Sequence, residues 1–480
     1  MKYVIEGRKP ENIFRFFEDI CAIPHGSGNE KAVADYIVAF AEARGLEYKR
    51  DAVHNVFIKK PATAGRENEP PMMMQAHTDM VCEKNADTVH DFLKDSLDLY
   101  VEDGWLHARG TTLGADDGIG VAIMLAALDG AAASHPALEC LFTVSEETGM
   151  DGVTNFDFSA VSAKRLINLD AAEVDTVIAG CAGGVRCNLT LAGKTAANKR
   201  EKTLKVKISG LAGGHSGENI NHGRANANKL MGRYLLALRA AGLEYELVSL
   251  TGGGKSNAIP RECVAVIACD CADKAVCVAK DTEAKIRNEL AACDAAFALE
   301  ICETEPAETS FDADTTRRAV SLLGIASNGV LKMSYKMQGL VEHSSNLGVI
   351  RTEGESIIYT FMFRSGINAQ LDQTCAELEA LADLCGATVE YNERYGGWDF
   401  AEKSPLRDSY AAAYAEVTGG APKIESIHAG LECGFIIDNI PDMDIISVGP
   451  NEVDIHSPDE RLELSSVETL WQVVEKVLAK

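Results

Sequence analysis

Apolar and polar positions follow a helical period and a strand period in turn along the first third of the chain. Pro10 to Ile20 repeats apolar residues every three to four positions, which predicts a helix with one buried face. Short apolar runs over residues 71–77, 138–145 and 165–169 predict buried strands. The alanine-rich stretch from Gly118 to Leu128 predicts a buried helix. This alternation predicts an α/β layer with a mostly parallel central sheet flanked by helices.

The same α/β signature returns near residue 400. Residues 404–417 follow a helical pattern, and Ile445–Val448 is an apolar run typical of a strand. Ser465 and Glu468 have the spacing of a capping box, which predicts the start of a terminal helix. Asn29 is likewise a candidate N-cap for a helix near the N-terminus.

The stretch between these two parts has a different pattern. Residues 202–209 alternate like a half-exposed strand, and a Gly-rich turn precedes a predicted helix over residues 224–240. The strand and helix signals indicate two similar α/β halves, over residues 202–270 and 332–395.

These patterns predict how the chain divides into domains. Residues 1–185 and 397–480 are expected to form one discontinuous catalytic domain. Residues 186–396 are expected to form a second domain inserted into it. A chain of 480 residues is long enough for two domains of this kind.

Composition limits the classes of partner. The formal net charge of −26 would repel nucleic acids and anionic membranes. No stretch approaches the roughly 20 apolar residues that span a bilayer, and the N-terminal residues lack the apolar core of a signal peptide. The 14 cysteines are scattered without a CxxC pair, as reduced packing residues are. We expect a cytoplasmic protein that binds neither nucleic acid nor membranes.

Histidines and carboxylates follow the predicted strands at the points where each strand ends. In sheets of this class, ligands bind beyond the carboxyl ends of the strands, so these side chains are expected to meet. The segments are His77 with Asp79, the Gly-flanked loop around Asp116, Glu146 with Glu147, Asp170, and His456.

This set of side chains predicts a site for two divalent metal ions that share one carboxylate. Mixed imidazole and carboxylate ligands favour zinc, manganese or cobalt over calcium. Two such ions about 3.5–4 Å apart polarise a carbonyl and generate hydroxide at neutral pH. Adjacent glutamates point in different directions, so one of Glu146 and Glu147 is expected to bind metal while the other transfers protons.

Five segments resemble motifs of the M20 family of metallopeptidases, in the same order along nearly the whole chain. The resemblance is greatest to the branch of cytosolic non-specific dipeptidases, also called aminoacyl-histidine dipeptidases. It implies a zinc-peptidase-like catalytic domain, an inserted α/β lid domain with two similar halves, and a homodimer. The segments are His77-Thr78-Asp79, Gly114-Ala115-Asp116-Asp117-Gly118, Glu146-Glu147-Thr148-Gly149, Asn168-Leu169-Asp170 and Ile455-His456-Ser457.

The resemblance implies a role for each matching residue. Asp116 would bridge two metal ions, of which one is completed by His77 and Asp170. The other would be completed by Glu147 and His456.

Two further residues have implied catalytic roles. Asp79 would orient His77 from behind the metal. Glu146 would be the general base, which takes a proton from the bridging water and later delivers it to the leaving amine.

Further matches lie in and after the insertion. Gly213-Gly214-His215-Ser216-Gly217 resembles the family's lid motif, whose histidine is implied to reach the partner subunit's active site and support the oxyanion. Asn257, Arg364 and Gly430 match positions that bind substrate, and Arg364 could pair with a dipeptide's terminal carboxylate. From the residues alone, without the family resemblance, His215 is better explained as an incidental histidine in a Gly-rich turn, and Arg364 is equally an arginine on a surface strand.

Three functions are compatible with the sequence. The one we predict is metal-dependent hydrolysis of dipeptides, of the Xaa-His type or of broad specificity. An amidase or deacylase of N-acyl amino acids would use the same scaffold. A metal- or peptide-binding protein without turnover is the third, although the presence of both Asp79 and Glu146 argues against it.

Overall fold

The computed structural model describes residues 3–480. The chain divides into two compact units. The first consists of Met1–Gly180, Phe400–Ser426 and Leu431–Lys480, and the second of Cys181–Asp399 with Ile427–Gly430. The domain boundaries drawn from the sequence stay predictions.

The first unit is built on a mixed sheet with a parallel centre. Met72–His77 pairs in parallel with Leu138–Thr143 on one side and with Arg165–Asn168 on the other. Asp444–Ser447 continues the parallel set beside Arg165–Asn168. The predicted α/β fold is therefore confirmed. In spatial order the strands are Glu47–Arg50, Val56–Lys60, Leu138–Thr143, Met72–His77, Arg165–Asn168, Asp444–Ser447, Thr176–Cys181 and Lys423–Ile427.

Helices pack around this sheet. Ala115–Leu128 is buried along almost its whole length, as its alanine-rich sequence predicts. The others are Glu11–Cys21, Lys31–Ala43, Glu146–Gly149, Asp151–Asn155, Pro405–Thr418, Glu432–Asn439, Leu464–Ala479 and the 3₁₀ turn Phe158–Ala160. A small sheet of the same unit has the order Glu452–Val453, Arg461–Glu463, Trp105–Ala108 and Leu99–Glu102.

Two predicted helix caps are wrong. Asn29 belongs to the preceding turn, where its N–H donates to the carbonyl oxygen of Gly26, and the helix begins two residues later. Ser465 lies inside the first turn of the terminal helix, because the strand Arg461–Glu463 runs directly into Leu464. Its hydroxyl donates to the Glu463 carboxylate at 2.8 Å.

The second unit is built on an antiparallel sheet with four long helices packed against it. The helices are Ala227–Ala240, Ala272–Leu290, Ala313–Ile325 and Asn368–Cys385. In spatial order the strands are Ala298–Thr304, Lys202–Ser209, Cys263–Cys269, Tyr245–Gly252, Val341–Glu353, Ser356–Ser365, Gly183–Ala192 and Thr388–Tyr395, with Gly329–Met333 also paired to Val341–Glu353. Two short pairs join Thr195–Ala197 to Thr309–Phe311 and Gly214–His215 to Ala258–Ile259.

The strand order of this sheet contains the same arrangement twice. If the strands of each half are numbered along the chain, both halves have the spatial order 4-1-3-2. The second strands of the two halves, Tyr245–Gly252 and Val341–Glu353, are neighbours in the middle of the sheet. The first half extends to Thr304, beyond the predicted end at residue 270. The second half takes its first strand, Gly183–Ala192, from before the first half. A pattern read along the chain misses that strand because the whole first half is inserted after it.

Two broader sequence expectations can be set beside the structure. Among residues 3–480, no helix is both long and apolar enough to cross a bilayer. Of the 14 cysteines in this range, nine are buried as predicted, whereas Cys82, Cys271, Cys277 and Cys302 are exposed.

Candidate metal centre

Four of the residues predicted to bind metal or transfer protons stand at or just after the carboxyl ends of three adjacent parallel strands. His77 is the last residue of its strand, Asp170 follows the next strand, and Glu146 and Glu147 begin the short helix after Leu138–Thr143. Because the strands are parallel, their carboxyl ends meet at one edge of the sheet.

Asp116 enters the same place from the start of the buried helix. Gly114 has a φ of +66°, and a Cβ there would lie 2.9 Å from the sulfur of Met80, so only glycine fits without strain. The backbone of Asp116 and Asp117 departs from helical dihedral angles. This irregular first turn turns the Asp116 carboxylate towards the edge of the sheet.

Glu460 holds this turn and was missed by sequence reasoning. Its buried carboxylate accepts the N–H groups of Leu113, Gly114 and Ala115 at 2.7, 3.1 and 2.8 Å. Burial raises the pKa of Glu460 to about 7 despite these three hydrogen bonds. Its position four residues after His456 is the only sequence signal that could have identified it.

The first candidate ligand set consists of His77, Asp116 and Asp170. The Nε2 atom of His77 lies 3.0 Å from Oδ1 of Asp116 and 3.9 Å from Oδ1 of Asp170. One ligand atom from each residue falls within 4.8 Å of the other two. His77 is buried, whereas the two carboxylates are partly accessible.

The second candidate set consists of Asp116, Glu147 and His456. The Nε2 atom of His456 lies 2.7 Å from Oε1 of Glu147 and 3.2 Å from Oδ2 of Asp116. Asp116 therefore directs one carboxylate oxygen to each histidine. His456 has a φ of +63°, an unusual backbone conformation of the kind that clusters at functional sites.

Asp79 connects the two sides of the centre. The Nδ1 atom of His77 lies 3.0 Å from the carbonyl oxygen of Asp79 and 3.4 Å from its carboxylate, so the carbonyl is the closer partner. The carboxylate also accepts the backbone N–H groups of Glu146 and Glu147 at 3.0 and 3.3 Å. Ser27 donates to it at 2.7 Å. The residue predicted to orient His77 thus also fixes the turn that carries both glutamates.

Glu146 lies beside the centre but in neither of these two sets. Its carboxylate forms a third cluster with the His77 imidazole and the Glu147 carboxylate, whose ligand atoms lie within the same 4.8 Å. Burial, reinforced by the neighbouring carboxylates of Glu147 and Glu432, raises the pKa of Glu146 to about 8. A carboxyl group with this pKa exchanges protons near neutrality.

The electrostatic surroundings of the candidate site favour the binding of cations. Burial and the Asp116 carboxylate raise the pKa of Asp170 well above its usual range. Hydrogen bonds to Asp116 and Glu147 raise the pKa of His456 to about 10. Burial would lower the pKa of His77, but the carboxylates of Asp116 and Asp79 outweigh it and raise the pKa. Imidazole and carboxylate atoms in this proportion are a donor set that divalent ions accept, and the ions would replace the protons.

A second cluster of predicted residues lies in the second unit. The Nη2 group of Arg364 lies 3.3 Å from Nε2 of His215. Its other nitrogens donate to the hydroxyls of Ser216 at 3.4 Å and Tyr395 at 3.3 Å. Burial and the nearby Arg364 lower the pKa of His215, so its imidazole is neutral at pH 7.

The remaining predicted residues lie around this cluster. The carbonyl oxygen of Asn257 accepts the N–H of Ser216 at 2.9 Å. Asn257 also lines a polar cavity of about 500 Å³ that includes the cationic side chains of Arg186, Lys255 and Arg351. Gly430 packs against the ring of Tyr395, where a Cβ would approach to 3.0 Å.

Comparisons with known proteins agree with this geometry. Residues 73–480 match the profile described as peptidase family M20/M25/M40. The chain is 39% identical over 473 residues to cytosol non-specific dipeptidase from Escherichia coli (strain K12), which covers 98% of this chain and 97% of that protein.

Solved structures give the same result. Aminoacylhistidine dipeptidase from Vibrio alginolyticus matches with a TM-score of 0.91 at 37% identity, over 98% of this chain and 97% of that one. Aminopeptidase PepT from Bacillus cereus matches over 98% of both chains with a TM-score of 0.59 at 16% identity, which shows the fold alone.

The geometry predicts how metal binding responds to substitution. Wild-type protein should bind about two Zn²⁺ ions per chain, since two ligand sets share Asp116. Asp170→Asn and His456→Asn should each retain about one ion, and Asp116→Asn should weaken both. The measurement is equilibrium dialysis followed by elemental analysis. Asp454→Asn, which alters an exposed acid of the His456 loop paired to Arg461, should still bind two. Full binding by all variants would contradict the assignment.

Proposed function

This chain belongs to peptidase family M20/M25/M40, and we propose that it is a dipeptidase that uses two divalent metal ions. The observation that carries the proposal is the placement of the two Asp116 oxygens, one towards each histidine of two overlapping ligand sets. The identity of 39% over nearly the full length to a protein named as a cytosol non-specific dipeptidase supports the substrate class and a cytoplasmic location.

We propose zinc as the native metal, with manganese and cobalt as alternatives, because the ligands mix imidazole with carboxylate. When bound, such ions polarise a peptide carbonyl and lower the pKa of a water molecule. His77 and His456 would hold them through their imidazoles, and the Asp79 carbonyl and carboxylate fix the orientation of the His77 ring.

Glu146 is the proposed proton carrier. Its raised pKa allows the carboxylate to accept a proton from the attacking water and the carboxylic acid to return it to the leaving amine nitrogen. Its position is fixed by the N–H···O bond from its own backbone to Asp79. Glu147, the next residue, binds metal instead because its side chain turns towards His456.

Replacing Glu146 should separate catalysis from metal binding. Glu146→Gln keeps the size of the side chain but removes the base, so kcat should fall by about 10²–10⁴-fold while both metals remain bound. Glu147→Gln is the matched comparison at the adjacent position and should lose metal from one site. Steady-state kinetics with elemental analysis measures both. A Glu146→Gln enzyme with near-wild-type kcat would show that the proton carrier lies elsewhere.

The preferred substrate distinguishes the proposed function from its alternative. Dipeptides with a free amino terminus should be hydrolysed, and N-acetyl amino acids should not, when both are offered to the zinc-loaded enzyme and free amino acids are quantified. Xaa-His and β-alanyl dipeptides belong in the panel because they test specificity within the class. Cleavage of the N-acyl compounds alone would indicate an amidase. Binding of dipeptides without cleavage would indicate a protein that has lost turnover.

The cluster in the second unit is the proposed substrate site. Arg364 would bind the terminal carboxylate of a dipeptide, for which its guanidinium geometry is suited. His215 could donate a proton from Nε2 to an oxyanion in the neutral tautomer whose Nδ1 accepts the Glu218 N–H at 3.4 Å, once the Arg364 N–H group that faces Nε2 turns to the substrate carboxylate. Asn257 and Gly430 complete this site. We propose residues 186–396 as the lid and dimerisation domain of a homodimer.

His215 and Arg364 of one chain should serve the same metal pair, because their side chains lie 3.3 Å apart. Chains with His215→Ala and chains with Arg364→Ala should each lose about 10²-fold or more in kcat/KM. Mixed dimers of the two should not regain activity, since every substrate site still lacks one group. Activity recovered in the mixture would contradict the shared site.

The same assay shows whether His215 and Arg364 act at the metal centre of their own chain or at that of the partner chain. His215→Ala chains are mixed with Glu146→Gln chains, and activity is compared with that of each parent. The family resemblance predicts recovery, because a wild-type lid from one chain would then meet a wild-type metal centre of the other. Absence of recovery would assign the cluster to the metals of its own chain.

A further inference from the structure

A chain of buried polar side chains crosses the sheet just before the metal centre. Gln75 and Asn168 are paired across adjacent strands, and each stands two residues before a proposed ligand, His77 or Asp170. Thr143 ends the third strand, three residues before Glu146. Gln75, Thr143 and Asn168 are completely buried, so their polar atoms must be satisfied inside the protein.

Glu432 joins these side chains. It is the first residue of the helix Glu432–Asn439 and is completely buried. Its Oε2 atom accepts a hydrogen bond from the Gln75 amide and another from the Thr143 hydroxyl, the latter at 2.7 Å. The other end of the Gln75 amide accepts from Asn168 at 2.7 Å. One carboxylate oxygen therefore connects the three strands that lead to the centre.

The second carboxylate oxygen of Glu432 shows that hydrogen bonding alone does not account for a glutamate at this position. Among residues 3–480, Oε1 of Glu432 is buried without a hydrogen-bond partner. A buried carboxylate that is only half satisfied costs stability, and a glutamine would fill the same space without charge. An acid at this position therefore indicates that its charge is used.

The charged groups around Glu432 show where that charge acts. The charged groups with the largest electrostatic effect on its carboxyl group are His77 and Asp79, and Glu432 in turn acts on Glu146. Cations at the centre would be the positive charges that a carboxylate here could favour.

We propose that Glu432 is a positioning residue that strengthens binding of the ion held by His77, Asp116 and Asp170. It acts by fixing the strand ends, through its hydrogen bond to Gln75 and the bond of Gln75 to Asn168, and by adding a negative charge to the surroundings of His77. The inference rests on the proposed metal centre, because it assigns a residue that supports that centre without touching the ions. The ion held by Glu147 and His456 should be less affected, because the network approaches Glu147 only through Thr143, four residues before it, whereas Gln75 and Asn168 stand two residues before His77 and Asp170.

Metal affinity of the Glu432→Gln variant tests this directly. Metal-free protein is titrated with Zn²⁺ against a chromophoric chelator, and with Co²⁺ to follow each site by its absorption spectrum. Affinity at the His77 site should fall by up to about 10-fold, at the low end of the 10–100-fold loss that follows removal of a residue bonded directly to a metal ligand, because Glu432 acts through Gln75. Affinity at the His456 site should change by much less. This readout does not depend on turnover.

Glu139→Gln is the matched control. Glu139 is also a buried glutamate, and it accepts the N–H groups of Ser162 and Ala163. It lies at the opposite end of the strand Leu138–Thr143, away from the centre. Its substitution should alter the unfolding temperature but leave both metal affinities unchanged.

Glu432→Asp keeps the charge with a shorter side chain and should recover much of the affinity lost in Glu432→Gln. Wild-type affinity in the Glu432→Gln variant, or an equal loss in the Glu139→Gln control, would overturn the proposal for Glu432 and leave the dipeptidase proposal standing. A wild-type protein that binds no metal would overturn both.

Discussion

The structure depends on one carboxylate that faces two histidines. Asp116 can turn an oxygen towards His77 and the other towards His456 only because its own backbone leaves the helical path at the start of a buried helix. Gly114 permits the tight approach, and Glu460 holds the three preceding N–H groups. The parallel strands then bring His77, Glu147 and Asp170 to the same edge, so most of a candidate site assembled from distant segments is fixed by ordinary sheet geometry.

This arrangement buries several acids together, and burial disfavours their ionised form. Burial raises the pKa values of Glu146, Glu432 and Glu460 to about 8, 7 and 7. An acid whose pKa is raised in the folded state does not lower the free energy of unfolding at a pH below its ordinary pKa, where it is protonated in both states. As the pH rises from the ordinary pKa towards the raised value, the acid lowers the free energy of unfolding progressively. Bound cations would offset this cost for the acids at the centre. The fold thus gives up stability at neutral pH to keep the proposed proton carrier and the proposed metal ligands in place, a common trade at catalytic sites.

The sequence predicts the strands that carry the candidate residues, because apolar strands end abruptly in polar residues, as Met72–His77 and Leu138–Thr143 do. It fails where the signal is not local. The strand Gly183–Ala192 belongs to a half whose other strands follow much later, so the repeat is incomplete in the sequence. Glu460 and Glu432 look like surface acids, because nothing in their sequence neighbourhood shows that they are buried and bonded to distant backbone or amide groups. Asn29 and Ser465 match cap patterns but are displaced by neighbouring turns and strands.

Anomalous diffraction from crystals grown with Zn²⁺ would show whether two metal ions share Asp116. Two peaks about 3.5–4 Å apart are expected, with the Asp116 carboxylate between them. One peak should contact His77 and Asp170, and the other Glu147 and His456. A single peak, or two peaks that do not share Asp116, would contradict the account.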